Sequence, residues 1–351
     1  MSGSRITFQT GQDHQPEALE RVAAHLRTQL AAASLAGLRS VQRPLFTGIG
    51  ASYAALAVPV EVLRAHGVAA QRVQADEVED GLTGFDTDLL LGVSQGGRSS
   101  ETLAAFKAAG DTSTLAVLNV TPSPLGDLAE IGVDLGNEPD SYASTVGFTG
   151  TVVALDLLAG AIAGRGDDPW HGIAAHLRTV RERAVAAIGA VSERAARCVA
   201  ADCVATGASR AASEEIALLL REVPRMPAAA STTRTYLHGE MESAGNTLHV
   251  VLGDGREIDL ARSLSGAGHL SLLVTTEDVA PTADLAVVRL PGTAAGPRVV
   301  LETVVGQELV RALSVERDVP IESFVFANDD TKEGGVDPGD FAIGSPELTH
   351  A

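Results

Sequence analysis

A short segment in the first half of the chain combines residue types that can bind a phosphate group. It reads Val-Ser-Gln-Gly-Gly-Arg-Ser-Ser-Glu-Thr from Val93 to Thr102, and it continues an apolar run that begins at Leu89. A helical pattern starts at Ser99. A strand that leads into such a turn directs backbone N–H groups and the positive end of a helix dipole to one point, where phosphate binds. The segment has neither the P-loop lysine nor the glycine spacing of dinucleotide-binding folds.

The same residues also fit an ordinary structural interpretation. Serine and glycine are common in turns, and Ser99 could simply cap the helix that follows it. This segment alone leaves both interpretations open.

Alternating strands and helices surround this segment in the first half of the chain. Strands are predicted at Pro44–Gly50, Val68–Ala75, Asp88–Ser94, Thr114–Val120 and Ile131–Leu135. Helices are predicted at Pro16–Leu38, Tyr53–Ala65, Ser99–Ala109 and Ser144–Ala163. Apolar strands that alternate with helices indicate a parallel sheet buried on both faces.

The second half repeats this alternation after a run of turn formers from Gly164 to Pro169. A long helix is predicted at Trp170–Ala196, followed by strands at Asp202–Gly207, Thr247–Leu252, His269–Thr275 and Asp284–Leu290. Further helices are predicted at Ser213–Val223, Ile258–Gly266 and Pro297–Ser314. We therefore predict an α/β fold of two doubly wound, flavodoxin-like parallel sheets in tandem, with ligand loops at the carboxyl ends of their strands. The predicted domains are residues 1–166 and 167–330, with a tail at 331–351.

Composition narrows the classes of partner and cofactor. The 351 residues carry a net charge of −19, which disfavours nucleic acid and anionic membranes as partners. The two cysteines are too few for a disulfide scaffold, and the histidines form no metal-like cluster, so no metal is expected. No signal pattern or run approaching a transmembrane helix is evident, so a cytoplasmic location is expected.

Five short motifs together resemble those of a known enzyme family. In the first half, Gly48-Ile49-Gly50-Ala51-Ser52, the segment at Ser94–Thr102 and Ala143-Ser144-Thr145 follow the first, third and fifth strands. In the second half, Arg221-Glu222-Val223 ends a helix and Tyr236-Leu237-His238-Gly239 follows it. In this order they resemble the sugar isomerase (SIS) domain, best known from the isomerase half of glucosamine-6-phosphate synthase. The resemblance spans about Pro16 to Thr331 and implies two SIS domains.

The resemblance implies a role for each matching residue. Glu222 would move a proton between C1 and C2 of an open-chain sugar, and His238 would help to open the ring. This histidine commonly comes from a neighbouring subunit in the family, so a homodimer is implied. The remaining residues would bind the substrate: Ser94, Gln95, Ser99 and the Gly96 N–H at the phosphate, Ser52 and Ser144 at sugar hydroxyls or phosphate, and Lys332 from the tail.

Some positions depart from the family pattern. Gly96 replaces the second serine of Ser-x-Ser-Gly, and Leu219 replaces a lysine that belongs to the synthase chemistry. Val146 and Glu240 also replace the usual lysine and proline. The sequence Asp329-Asp330-Thr331-Lys332 is similar to the end of stand-alone isomerases and deglycases. The resemblance therefore favours the stand-alone enzymes over the synthase.

Proton exchange between the two carbons of an aldose–ketose pair needs a carboxylate base and a donor near the carbonyl oxygen, without a cofactor. We therefore expect a cofactor-free sugar-phosphate aldose–ketose isomerase, with an amino sugar phosphate isomerase or deaminase as a variant of this function. Two alternatives are a deglycase of fructosamine-phosphate type and a sensor that binds sugar phosphates without turnover. The unusual Gly96 also leaves open an unphosphorylated sugar.

Overall fold

The first half of the chain folds into a five-stranded parallel sheet with helices on both faces. The computed structural model describes residues 5–31, 33–322, 324–326 and 328–336, so most of the predicted tail lies outside the described residues. The strands run in the order β2-β1-β3-β4-β5. They are β1 (Pro44–Gly48), β2 (Gln71–Gln74), β3 (Leu89–Val93), β4 (Thr114–Leu118) and β5 (Ile131–Asp134). The helices are α1 (Phe8–Leu30), α2 (Ala51–Ala55), α3 (Ala57–Ala65), α4 (Ser100–Lys107), α5 (Pro124–Leu128) and α6 (Val146–Ala163).

The second half repeats this topology, and its own five parallel strands run in the order β10-β9-β8-β6-β7. They are β6 (Ala200–Ala205), β7 (Ala228–Thr232), β8 (Thr247–Leu252), β9 (Ser271–Thr275) and β10 (Leu285–Arg289). The helices are α7 (Ile173–Gly189), α8 (Ser192–Ala196), α9 (Arg210–Glu222), α10 (Thr233–Leu237), α11 (Arg256–Gly266) and α12 (Ala295–Glu316). Both sheets thus share the 2-1-3-4-5 order of a doubly wound fold. The predicted fold class is confirmed.

The first helix differs from its prediction at both ends. It begins at Phe8, where Thr7 accepts a hydrogen bond from the Thr10 N–H and caps it, and Pro16 lies inside it. Proline is expected in the first turn of a helix. Because of Pro16, the start of α1 was therefore predicted too late in the chain. The helix ends at Leu30, and a 3₁₀ helix, Ala33–Ser40, covers most of the rest of the predicted span.

Two further differences lie in the second half. The predicted helix at Trp170–Ala196 begins at Ile173 and is interrupted after Gly189. Trp170 precedes it as a buried anchor whose Nε1 donates to Asp156 at 2.9 Å. Strand β7 and helix α10 were missed, because β7 is an edge strand of small residues, Ala-Ala-Ala-Ser-Thr, without an apolar run.

Helix α6 corrects the expectation that no run approaches a membrane span. By length and composition its 18 residues could cross a membrane, with a mean hydropathy of 1.8. However, 83% of the helix is buried inside the protein. It packs against α1 and α3 of its own half and against α12 of the second half. Its apolar character is therefore that of a core helix shared by the two halves.

A partly buried ion pair joins the second half to the first. Arg72, in β2, donates from both terminal nitrogens to Glu214 of α9, at 2.7 and 2.6 Å. Its guanidinium also lies 4.4 Å from the centre of the Tyr53 ring, and Tyr53 belongs to α2. Helix α9 consequently packs against α2. This contact brings the end of a second-half helix to the loops that follow the first-half strands.

Candidate functional site

The turn after β3 has the geometry of an anion-binding loop. Ser94 directly follows the strand and Ser99 occupies the N-cap position of α4, but the Ser99 side chain makes no cap hydrogen bond. Its hydroxyl oxygen instead lies 3.1 Å from that of Ser94. Ser99 therefore occupies the cap position without capping the helix through its side chain, and its hydroxyl stays on the side of Ser94.

Two glycines shape this turn for different reasons. Gly97 has a φ of +62°, and a Cβ there would collide with the hydroxyl of Ser123, so both backbone conformation and space require glycine. Gly96 is different, because a Cβ at this position would meet nothing within 4 Å. The loss of the family serine at Gly96 is thus not imposed by crowding. It leaves open space at this point of the turn.

A buried aspartate, Asp140, braces two of the predicted ligand residues. It accepts hydrogen bonds from the side chains of Gln95 and Ser144, each at 2.7 Å. It also accepts from the backbone N–H and hydroxyl of Thr145, at 2.9 and 2.8 Å. The Ser144 hydroxyl accepts in turn from the Phe148 N–H at 2.8 Å. Ser144 therefore supports the start of α6 as well as facing the site.

Ser52 lies on α2, directly after the tight turn at Gly50. Its side chain is half-buried, and it makes no hydrogen bond within the part of the chain that the structure describes. The hydroxyl is free to contact a ligand at the carboxyl end of β1, next to the turn after β3, because these two strands are paired.

The tail crosses the phosphate turn as a strap, which we define as residues 328–336. Lys332 forms an antiparallel bridge with Ser99, and the Ser100 hydroxyl donates to the carbonyl of Asp330 at 2.7 Å. Arg98 holds the far end, donating to the carbonyls of Glu333 and Gly335, each at 2.7 Å through Nη2. The Lys332 ammonium lies 5.7 Å from the centre of the Tyr142 ring. The strap thus brings a cation beside the turn and the Ala143-Ser144-Thr145 motif.

Glu222 is the last residue of α9, the helix that packs against α2. Burial raises the pKa of its carboxyl from 4.5 to about 7. Glu215 is a buried residue of the same helix. The charges of Glu222 and of Asp140, which lies in the first half, both act on the Glu215 carboxyl. Glu222 and Asp140, the aspartate that braces the phosphate turn, therefore both lie near Glu215. The raised pKa of Glu222 suits a group that must take up and return a proton at neutral pH.

His238 is the one predicted catalytic residue that the fold separates from the rest. It lies exposed just after α10, beyond the carboxyl end of β7, whereas Glu222 precedes the amino end of that strand. Five strand residues span roughly 16 Å, so the two side chains of one subunit lie at opposite ends of the sheet. A single subunit does not bring His238 to Glu222.

Sequence reasoning missed three residues at this site. Asp140 had a signal, since it directly precedes Ser-Tyr-Ala-Ser-Thr after the fifth strand. Glu215 lies seven residues before Glu222, a spacing that puts both on one helical face. Arg98 was inside the recognised motif, but its contact with the strap had no local signal. Within the described residues, no group of three or more His, Cys, Asp or Glu side chains could hold a metal ion.

Solved structures with the same fold include three proteins that are named for sugar phosphates. The C-terminal domain of glucosamine-fructose-6-phosphate aminotransferase from Francisella tularensis matches with a TM-score of 0.75 and 19% identity, over 91% of this chain and 98% of that chain. Tagatose-6-phosphate ketose/aldose isomerase from Escherichia coli matches with a TM-score of 0.71 and 17% identity, over 90% and 94%. Glucosamine-6-phosphate deaminase from Thermotoga maritima matches with a TM-score of 0.66 and 18% identity, over 86% and 95%.

At the level of sequence, no model of a known protein family matches the chain, and no curated protein matches it either. The likeness is therefore one of architecture over nearly the whole length of these structures. Together with the two 2-1-3-4-5 sheets, it confirms the resemblance inferred from the motifs. The chain has the fold of these phosphosugar isomerase structures, built as two similar parallel sheets in tandem.

Proposed function

We propose that the chain is a cofactor-free sugar-phosphate aldose–ketose isomerase in which Glu222 transfers a proton between C1 and C2. One observation carries this proposal: a carboxyl with a pKa near 7 lies at the same domain boundary as a turn built to bind an anion. The first group suits enolisation and the second suits a phosphate ester. The fold shared with sugar phosphate enzymes supports the same reading.

The phosphate would occupy the turn after β3. Ser94, Ser99 and the N–H groups of Gly96 and α4 supply donors, and Gln95 is held in place by Asp140. Lys332 on the strap adds positive charge in an otherwise acidic protein. Ser52 and Ser144 lie at the adjacent strand and helix ends, where sugar hydroxyls would extend from the phosphate toward α9. The open-chain carbonyl would then reach Glu222.

We further propose that the enzyme works as a homodimer that shares its sites. His238 is exposed and distant from Glu222 of its own subunit, yet ring opening needs a proton donor and acceptor near the ring oxygen. A second subunit that docks its α10 end against the first would supply this histidine. The exposed position of His238 supports such a contact.

A second candidate substrate is a sugar phosphate that carries an amine. The charges of Glu222 and Asp140 both act on one buried residue, Glu215. The residue between the two glutamates on this face of α9 is Leu219, so no lysine offsets these charges there. A protonated amine would be attracted to these groups. The same proton transfer followed by attack of water would then give deamination or deglycation.

A substrate panel tests the proposal. Purified enzyme would be incubated with fructose-6-phosphate, tagatose-6-phosphate, glucosamine-6-phosphate and the matching unphosphorylated sugars, and products would be separated by ion chromatography. We expect conversion of at least one phosphorylated sugar and none of its unphosphorylated counterpart. Release of ammonia would identify the amine-bearing class. Tight binding of a sugar phosphate without conversion of any would favour a sensor and contradict the proposal.

A further inference from the structure

A buried glutamine of the first helix reaches the loop that holds the phosphate turn. Gln15 lies on α1 and is only 2% exposed. Its Nε2 donates to the backbone carbonyl of Thr145 at 3.2 Å and to the hydroxyl of Thr149 at 2.8 Å. Because these partners lie 130 and 134 residues away in the sequence, the contact connects α1 to the start of α6 through the protein interior.

Thr145 is the residue through which this contact continues to the site. It occupies the N-cap position of α6 and is fully buried. Its backbone N–H and its hydroxyl both donate to one carboxylate oxygen of Asp140, Oδ1. The other oxygen, Oδ2, accepts from Gln95 and Ser144. An unbroken chain of hydrogen bonds therefore runs from Gln15 through Thr145 and Asp140 to two of the predicted ligand residues.

Helix α1 also approaches Thr145 one turn before Gln15. A Cβ at Gly11 would lie 2.1 Å from the Thr145 hydroxyl oxygen, so a larger residue there would push this hydroxyl away. Gln15 comes four residues later, on the same face of the helix. The two positions therefore fix Thr145 from one side, Gly11 by the close approach of its backbone and Gln15 by a hydrogen bond.

The Thr145 carbonyl does not depend on Gln15 for a hydrogen-bond donor. Thr149 donates to it through its hydroxyl at 2.9 Å and through its backbone N–H at 3.3 Å. The Nε2 of Gln307, on α12, lies 3.5 Å from the same oxygen, at the limit of a hydrogen bond. Gln15 instead adds a fixed point on a different helix, which holds the start of α6 in place against α1.

We propose that Gln15 is a positioning residue for phosphate binding, which acts through Thr145 on Asp140. With Thr145 held from α1, the Asp140 carboxylate keeps the orientation in which it braces the side chains of Gln95 and Ser144. This inference rests on the proposed function, because it assigns Gln15 to the phosphate end of that site.

Gln15→Leu tests the proposal, and Gln12→Leu is its matched control. Gln12 lies on the same helix and is also 2% exposed, but its Nε2 donates to Glu308 of α12, at 3.0 Å, instead of to Thr145. In each variant the former acceptor keeps other donors. The two variants should therefore lose similar amounts of stability, and only one of them should lose the connection to the site.

Calorimetry would measure the Kd of inorganic phosphate, and initial rates would give kcat and KM for a sugar phosphate that wild type converts. We expect Gln15→Leu to raise Kd and KM about tenfold and to leave kcat close to that of wild type, because Glu222 on α9 lies outside this chain of hydrogen bonds. Gln12→Leu should leave all three constants close to the wild-type values. Gly11→Ala should raise Kd and KM as well, because its Cβ would displace the Thr145 hydroxyl.

Each outcome separates this inference from the proposed function. If wild type neither binds phosphate nor converts a sugar phosphate, the proposed function fails and the inference fails with it. If wild type binds phosphate and the two glutamine variants bind it equally well, the role of Gln15 is wrong while the proposed function stands. If Gln15→Leu does not fold, Gly11→Ala decides, and unchanged phosphate binding in that variant overturns the inference.

Discussion

Glu222 is the residue whose protonation state decides whether the proposed chemistry can run. Burial raises the pKa of its carboxyl to about 7, and only the ionised form can take a proton from carbon. We therefore expect kcat/KM to rise about tenfold per pH unit below pH 7 and to level off above it. Initial rates between pH 5 and 9 measure this directly. A flat profile between pH 5 and 7 would exclude Glu222 as the base.

The same raised pKa predicts a cost in stability. Between pH 4.5, the ordinary value, and about 7, the folded protein holds a proton on Glu222 that the unfolded chain releases, so this group's contribution to stability falls as the pH rises. Glu222→Gln removes the buried charge. At pH 8 we expect the variant to be more stable than wild type by about 1–3 kcal/mol, and near pH 4 the difference should vanish. Urea unfolding at the two pH values tests this, and a variant less stable at pH 8 would contradict it.

We expect substrate binding to weaken when the charge of Asp140 is removed. Asp140→Asn replaces an acceptor of four hydrogen bonds by an amide that must turn one donor toward Gln95, Ser144 or Thr145. Hydrogen bonds to charged groups contribute about 1.5–3 kcal/mol each. We therefore expect KM for the sugar phosphate to rise by roughly tenfold or more. Asp111→Asn, at an exposed loop position of the same half, is the control, and an equal KM in both variants would rule out the brace.

The ligand residues of the turn could be predicted because their signal is local. Ser94, Gln95 and Ser99 follow an apolar strand and precede a helix, and this arrangement is readable from neighbouring residues. Asp140 and Glu215 could not be predicted in the same way. Asp140 lies 45 residues from the Gln95 side chain that it holds, and the burial of Glu215 depends on how α9 packs against α2 and α12.

At the scale of elements, the start of α6 must approach the phosphate turn closely. A Cβ at Gly147 would lie under 3.0 Å from the Gln95 amide and the Asp140 carboxylate. Gly147→Ala should therefore displace both side chains, raise KM, and destabilise the protein by about 1–3 kcal/mol. Gly189→Ala, at the end of α7 where a Cβ would meet nothing within 4 Å, should be neutral or stabilising. Equal melting temperatures for both variants would show that the contact at Gly147 can relax.

Elements with a strong hydrophobic pattern were predictable from the sequence. The buried runs of β1, β3, β4 and β8 gave strands close to their observed bounds, because burial on both faces requires continuous apolar residues. Strand β7 has no such run and forms through its pairing with β6. The start of α1 depends on its Thr7 cap and on the Phe8 N–H, which donates to Glu322 at 3.0 Å, a contact made 314 residues away.

At the scale of the whole molecule, the duplication was predictable and the packing of the halves was not. Both halves carry the same order of strands, which the alternating pattern indicates twice. The approach of α9 to α2 depends on a pair between Arg72 and Glu214, 142 residues apart. The approach of α9, which carries Glu222, to the first half follows from this packing. The separation of His238 from Glu222 has a different origin, because the two residues lie at opposite ends of β7 within the second half, and the proposed dimer rests on it.

A shared site predicts complementation between two inactive variants. Glu222→Gln and His238→Asn subunits, unfolded together and refolded as a mixture, should form half mixed dimers, and each mixed dimer has one site with both residues intact. We expect about one quarter of wild-type activity in the mixture, although each variant alone is inactive. A mixture as inactive as its components would show that His238 acts within its own subunit.

Proton exchange tests the central claim most directly. Proton NMR in D₂O would follow the C1 and C2 protons of a sugar phosphate that the enzyme converts, with wild type and Glu222→Gln compared at equal concentration and pH 8. We predict that wild type exchanges or transfers these protons and that Glu222→Gln lowers the rate by at least about 1,000-fold while still binding the sugar phosphate. Exchange at a similar rate in both proteins would contradict the assignment of Glu222 as the base and, with it, the proposed mechanism.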